Sequence, residues 1–198
     1  QNGQFVMVDD YREAYFWLRD HTAKDARVMA WWDYGYQIAG IAERTSIADG
    51  NTWNHEHIAT LGRILTAPEE EAHSLARHIA DYVLVWAGGG GDDLAKSPHL
   101  ARIGNSVYPG HCSDPTCSMF GFHQDRSPTP MMANSLLYKL VMAGQNGARV
   151  NETYFEHKVR ALCTSPRELD PRRLLRCSVA VVLMMCAARA HALPPPAL

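Results

Sequence analysis

The run Tyr82-Val83-Leu84-Val85-Trp86 is apolar without interruption. A strand of that kind has to be covered on both faces, as in a parallel sheet flanked by helices. The preceding Ala67-Pro68-Glu69-Glu70-Glu71 opens a helix that reaches about Ala80, with proline in the first turn and acids complementing the positive end of the helix dipole. Nearer the N-terminus, Tyr11, Ala14, Tyr15 and Leu18 recur at helical spacing over residues 10–21, with Asp9 or Asp10 as the cap. Arg27-Val28-Met29-Ala30 then reads as a short apolar strand. A short helix over Tyr36–Ala42, a second strand over Thr45–Ala48, a helix capped by Asn54 and reaching about Leu65, and a helix over Met131–Met142 complete the pattern. The expected fold class is α/β: a mixed domain with a small central sheet covered by helices. Residues 105–129, rich in Pro, Ser, Gly, His and Asp, read as an irregular surface excursion.

The 198 residues suffice for one ordinary domain. A formal net charge of −2 argues against a nucleic-acid partner bound through counterion release. No run approaches the roughly 20 apolar residues that cross a bilayer. The longest charge-free apolar run, Cys177–Ala188, reads instead as a buried helix or strand. Gly88–Gly91 follow the central strand, yet no dinucleotide or phosphate-loop pattern is present, and Asp92 and Asp93 would repel a pyrophosphate. Gln1 is preceded by neither an initiating Met nor a signal peptide, so the chain reads as part of something longer.

The first strand runs into Trp31-Trp32-Asp33-Tyr34-Gly35. Neighbouring side chains on a strand face opposite ways, so one indole is expected at a pocket or interface, with Asp33 at a strand-to-loop edge. An alcohol has one proton to donate and two lone pairs to fill, an indole N–H only donates, and an ionised carboxylate only accepts. Two indoles and one aspartate therefore satisfy a single hydroxyl completely. Such a site rejects the analogue lacking the hydroxyl by roughly 10⁴ to 10⁵ in favourable cases. The plainer alternative is two half-buried core tryptophans with Asp33 capping the next helix.

This run resembles the signature of the catalytic subunit of oligosaccharyltransferase, a glycosyltransferase that moves a lipid-linked glycan onto asparagine in Asn-X-Ser/Thr sequons. Asp9-Asp10-Tyr11-Arg12-Glu13-Ala14 upstream and Asp49-Gly50-Asn51-Thr52-Trp53-Asn54 downstream are similar to the same family, and the likeness covers about residues 8–160. The resemblance implies that Trp31, Trp32, Asp33, Tyr34 and Gly35 bind the acceptor's Ser or Thr and that Tyr36 contacts the lipid-linked donor. It also implies a lumenal acceptor-binding domain over residues 1–160 of an endoplasmic reticulum membrane protein. The implied partners are sequon-containing polypeptides, a dolichyl-pyrophosphate-linked oligosaccharide, the membrane half of the same protein and other subunits of the transferase. The expected Mn or Mg would be held by that membrane half, with no catalytic residue and no metal ligand in this chain, which alone would be inactive. A noncatalytic peptide- or glycan-binding module, its tryptophans stacking on sugar or backbone, is the alternative.

Asp93-Leu94-Ala95-Lys96, followed by Leu100 and Ile103, is similar to the family's second signature, Asp-x-x-Lys. Spacings of three and four place Asp93, Lys96, Leu100 and Ile103 near one helical face, and the resemblance makes them acceptor-binding, with Leu100 or Ile103 against the methyl of threonine. Pro98 is expected to kink that helix, and a lone Asp-x-x-Lys is otherwise a solvated ion pair.

Cys112 and Cys117 enclose Ser-Asp-Pro-Thr, whose Asp114-Pro115 is turn chemistry that brings the sulfurs together. A loop disulfide is preferred to a zinc site recruiting His111 or His123, because no second ligand pair stands at zinc-finger spacing. His55-Glu56-His57 lacks the i, i+4 histidine pair of a helical zinc site, and these read as polar residues facing solvent. Asn151-Glu152-Thr153 is itself a sequon, giving Asn151 as a glycosylation candidate. Beyond about residue 160 the likeness fades, and residues 161–198 form a divergent tail of uncertain structure.

Overall fold

The computed structural model describes residues 10–86, 93–147 and 180–184. The elements run α1 (Asp10–His21), β1 (Arg27–Met29), a 3₁₀ turn (Trp32–Tyr34), α2 (Gly35–Gly40), β2 (Thr45–Ser46), α3 (His55–Thr66), α4 (Glu69–Ile79), β3 (Tyr82–Trp86), α5 (Asp93–Val107), α6 (Pro130–Asn134), α7 (Leu136–Gly147) and β4 (Ala180–Met184). The sheet order is β2-β1-β3-β4. β1 pairs in parallel with both β2 and β3, placing Val28 beside Ser46 and Tyr82, and β4 closes the sheet antiparallel to β3. This is the mixed α/β architecture expected, and the apolar run over Cys177–Ala188 contains the strand β4.

Burial alternates along the two inner strands as the pleat requires. Val28, Ala30, Leu84 and Trp86 face α1 and α2, where they meet Ala14, Tyr15, Leu18 and Ile38. Met29, Trp31, Val83 and Val85 face the opposite way into a larger core with Leu61, Ile64, Leu65, Leu100 and Leu137. Helices thus cover both faces, which is why β3 carries no alternating polar residue. Arg44 is buried and donates to the carbonyls of Arg19, Thr22, Ala42 and Glu43, which seals the C-terminal end of α1.

Two glycines set the position of α5. A Cβ on Gly62 of α3 would stand 2.5 Å from the Leu100 carbonyl oxygen, and one on Gly104 of α5 would stand 2.8 Å from the Arg63 nitrogen. Helix backbones can approach so closely only where both sides lack a side chain. Pro98 does not interrupt α5, which runs unbroken from Asp93 to Val107. Proline cannot donate to the Leu94 carbonyl, and the Ser97 hydroxyl takes that place at 2.5 Å.

The single helix expected over Met131–Met142 is two, α6 and α7. Ser135 between them has extended backbone (φ −66°, ψ 147°), and its hydroxyl donates to the Met132 carbonyl and accepts from the Tyr138 N–H. A serine that caps a new helix ends the previous one. Asn54 caps α3 as expected, accepting from the His57 N–H at 3.1 Å. Among the described residues no helix is long and apolar enough to cross a membrane.

Candidate functional site

β1 ends at Met29, and the chain then turns rather than continuing as a strand. Trp31 keeps extended backbone (φ −61°, ψ 145°), and Trp32 opens the 3₁₀ turn. The alternation expected of a strand therefore does not apply to the two tryptophans. Both pack against the same core cluster, Trp31 at 2% exposure and Trp32 half-buried, with ring centroids 6.3 Å apart. Neither indole N–H is bonded to a described residue, and neither is sealed in the core as those of Trp17 and Trp86 are.

Asp33 does not cap α2: the N-cap position belongs to Tyr34, and no side chain caps it. The Asp33 carboxylate instead accepts from Lys96 Nζ through Oδ2 at 2.7 Å, and both side chains are about one third exposed. Its other oxygen, Oδ1, has no partner among the described residues.

Lys96 also donates to the Tyr34 hydroxyl at 2.9 Å, with the ammonium 4.6 Å from the centre of the Tyr34 ring. The phenol in turn donates to Asp93 Oδ1 at 2.8 Å, and Asp93 Oδ2 accepts the backbone N–H of Trp86 at 2.9 Å. Burial, followed by the charge and hydrogen bond of Asp93, pushes the Tyr34 phenol far above its ordinary range, so it stays protonated. The chain Trp86, Asp93, Tyr34, Lys96, Asp33 links the ends of both central strands to α5. No signal in the sequence marks Tyr34 as its middle member.

The Asp-x-x-Lys pair is thus not a solvated ion pair, since Asp93 is 2% exposed and Lys96 reaches to Asp33. Asp93, expected from the sequence to bind the acceptor, is enclosed beneath Tyr34 with its two oxygens on the Tyr34 hydroxyl and the Trp86 N–H. Leu100 is likewise fully enclosed in the core, whereas Ile103, on the same helix face, is only half-buried. Of the two residues proposed to meet a threonine methyl, Ile103 alone has surface to do so.

Gly35, expected at the acceptor site, is buried against the loop after β2. A Cβ there would lie 2.1 Å from the Ala48 carbonyl oxygen and 2.5 Å from Asp49 Cα, so glycine lets α2 start directly against the strand-β2 loop. Tyr36 is half exposed, its ring lying over Gly50. Asp49 orders that loop, its carboxylate accepting from the Asn51 N–H at 2.8 Å and its own N–H donating to Thr52 Oγ1 at 3.0 Å.

Cys112 and Cys117 form a disulfide, with Cα atoms 5.3 Å apart, and both are buried under α5. Asp114 organises the loop between them, accepting from the N–H and hydroxyl of both Thr116 and Ser118; those bonds lower its carboxyl to about 2. His111 Nε2 lies 2.7 Å from Thr66 Oγ1. His55 Nε2 meets Ser106 Oγ at 2.9 Å. Among the described residues no group of three His, Cys, Asp or Glu side chains could hold a metal ion. Gly88–Gly91 and Asn151 lie outside the described residues, as do Cys163, Cys177 and Cys186.

A central parallel sheet covered on both faces, with a polar cluster at the C-terminal ends of its strands, defines an α/β domain whose site is built from strand-end residues and one helix. Residues 24–87 match the model of the STT3/PglB/AglB core domain. The chain is 46% identical over 145 residues to the dolichyl-diphosphooligosaccharide–protein glycosyltransferase subunit STT3B of Arabidopsis thaliana, a stretch covering 70% of this chain and 20% of that protein. It is 42% identical over 146 residues to subunit STT3 of Saccharomyces cerevisiae, with the same two coverages. Residues 24–87 are thus similar to the STT3/PglB/AglB core domain, and the chain is similar over 70% of its length to STT3 glycosyltransferase subunits. It spans about a fifth of the length of the curated relatives it matches. Among solved structures, the C-terminal globular domain of an oligosaccharyltransferase from Archaeoglobus fulgidus aligns with 70% of this chain and 85% of its own, at 20% identity and a TM-score of 0.47.

Proposed function

We propose that this chain is the acceptor-binding part of an oligosaccharyltransferase catalytic subunit, facing the lumen of the endoplasmic reticulum and reading the Ser or Thr of Asn-X-Ser/Thr sequons. The observation that carries the reading is the state of three adjacent polar groups. Among the described residues Asp33 has one oxygen on Lys96 and one without a partner, and the indole N–H groups of the two preceding residues have none either. The acceptor hydroxyl donates its proton to Asp33 Oδ1, and its oxygen receives the N–H groups of Trp31 and Trp32, which completes its hydrogen bonding. Ile103 supplies apolar surface for the methyl of threonine. Tyr36, half exposed over Gly50, contacts the dolichyl-pyrophosphate-linked donor.

Transfer of the glycan also requires a divalent ion, Mn or Mg, which neutralises the pyrophosphate leaving group. In this reading its ligands come from the membrane half of the longer protein. The chain's own task is to fix the sequon so that its asparagine amide is held for reaction. Other subunits of the transferase are the expected assembly partners.

The reading is tested by in-vitro transfer from a lipid-linked donor, using membranes that carry the full-length protein. Asn-X-Thr and Asn-X-Ser peptides should both be glycosylated. The Asn-X-Val peptide, which keeps the shape of threonine without its hydroxyl, should not.

A further inference from the structure

The direction of every hydrogen bond in the cluster follows from chemistry. An ammonium only donates, an ionised carboxylate only accepts, and a phenol has one proton. Because Lys96 Nζ donates to the Tyr34 oxygen at 2.9 Å, the Tyr34 proton has to go to Asp93, which lies 2.8 Å away and is anchored by the Trp86 N–H at 2.9 Å. Asp93 is buried, and both of its carboxylate oxygens are engaged within the cluster.

We propose that Tyr34 and Asp93 are positioning residues for the acceptor site: Asp93 turns the Tyr34 O–H inward, and the phenol oxygen then holds the Lys96 ammonium on one oxygen of Asp33, leaving the other for the acceptor hydroxyl. This rests on the function proposed above. A lysine ammonium on a flexible four-carbon stem has no fixed fork of its own. Without the phenol it is free to straddle both oxygens of Asp33 or to swing away, and either movement spoils the place where the hydroxyl binds. The ring of Tyr34, 4.6 Å from the ammonium, confines it from a second side.

Two variants of the full-length transferase test this by steady-state kinetics with Asn-X-Thr peptides. Tyr34→Phe keeps the ring against Trp86, 5.7 Å away between centroids, and removes only the hydroxyl. Asp93→Asn has a single acceptor oxygen. If that oxygen stays on the Trp86 N–H, its NH₂ faces the phenol and turns the phenol's proton toward Lys96. The acceptor KM should rise roughly tenfold in Tyr34→Phe and further in Asp93→Asn, with kcat within about twofold and the donor KM unchanged. In the double variant no phenol remains to be reversed, so its acceptor KM should equal that of Tyr34→Phe. Residues that merely support the fold would instead give additive losses in kcat and melting temperature without a selective rise in acceptor KM, which overturns the inference. An unchanged acceptor KM in Tyr34→Phe overturns it as well. In either case the proposed function survives provided that Asp33→Ala abolishes transfer; normal transfer by Asp33→Ala removes both.

Discussion

Lys96 Nζ and Asp33 Oδ2 meet at 2.7 Å across a sequence separation of 63 residues, joining α5 to the turn that follows β1. Both side chains are about one third exposed, and screened pairs of that kind contribute about 0–1 kcal/mol. The contact therefore matters for where the carboxylate points more than for how stable the domain is. Lys96→Met should change the unfolding free energy by no more than about 1 kcal/mol while raising the acceptor KM. Denaturant titration beside peptide kinetics checks both; a large loss of stability with an unchanged KM would assign the pair to the fold alone.

Leu100 and Ile103 share a helix face and should respond in opposite ways. Leu100 is fully enclosed, so Leu100→Ala leaves a cavity and should cost about 2–5 kcal/mol of stability. Ile103 keeps accessible surface, and a buried methyl is worth about 0.8 kcal/mol. Ile103→Ala should therefore reduce the preference for Thr over Ser sequons by a few-fold and leave Ser transfer nearly intact. Melting curves and competition between Thr and Ser peptides separate the two effects.

The layer order was readable because it depends on local periodicity: the apolar run of β3, the acids opening α4, and the Asn54 cap all lie within a turn or two of what they determine. The site was readable in part for another reason. The donors and acceptors of Trp31, Trp32 and Asp33 can be counted from residue types alone. What the sequence hid was long-range or geometric. Trp31 and Trp32 pack against one cluster because the strand ends before them, and nothing local to Met29 announces that end. Asp93 and Lys96 look like one ion pair but point to different partners, since α5 is set by the Gly62–Gly104 crossing. Ser97 rescues the carbonyl that Pro98 abandons, and Ser135 divides what periodicity alone presents as one helix.

Gly35 is required for fit. Its φ of −61° suits any residue, but a Cβ would stand 2.1 Å from the Ala48 carbonyl oxygen. Gly35→Ala should force α2 away from the β2 loop, lowering stability by about 1–3 kcal/mol and displacing the neighbouring Tyr34 and Tyr36. Thermal unfolding measures the first effect and loss of peptide transfer the second.

His111 confers a pH dependence. Burial is the main cause lowering its pKa from 6.5, with Glu71 opposing and Arg63 assisting, so the folded chain holds it neutral beside Thr66. Between the folded value and 6.5 the unfolded chain binds more protons, and stability therefore falls as pH drops through that window. Above the window the contribution is fully present. The melting temperature should fall more between about pH 7.5 and pH 5 in the wild type than in His111→Gln. An identical fall in both would remove His111 as a source of acid sensitivity.

The most direct measurement is transfer by Asp33→Ala in the full-length protein, compared with wild type on Asn-X-Thr and Asn-X-Ser peptides at saturating donor. Removing the carboxylate deprives both hydroxyls of their acceptor, so both peptides should lose glycosylation together, by roughly 10² or more in kcat/KM. A variant that transfers to both peptides at the wild-type rate would contradict the assignment of this site to the sequon hydroxyl.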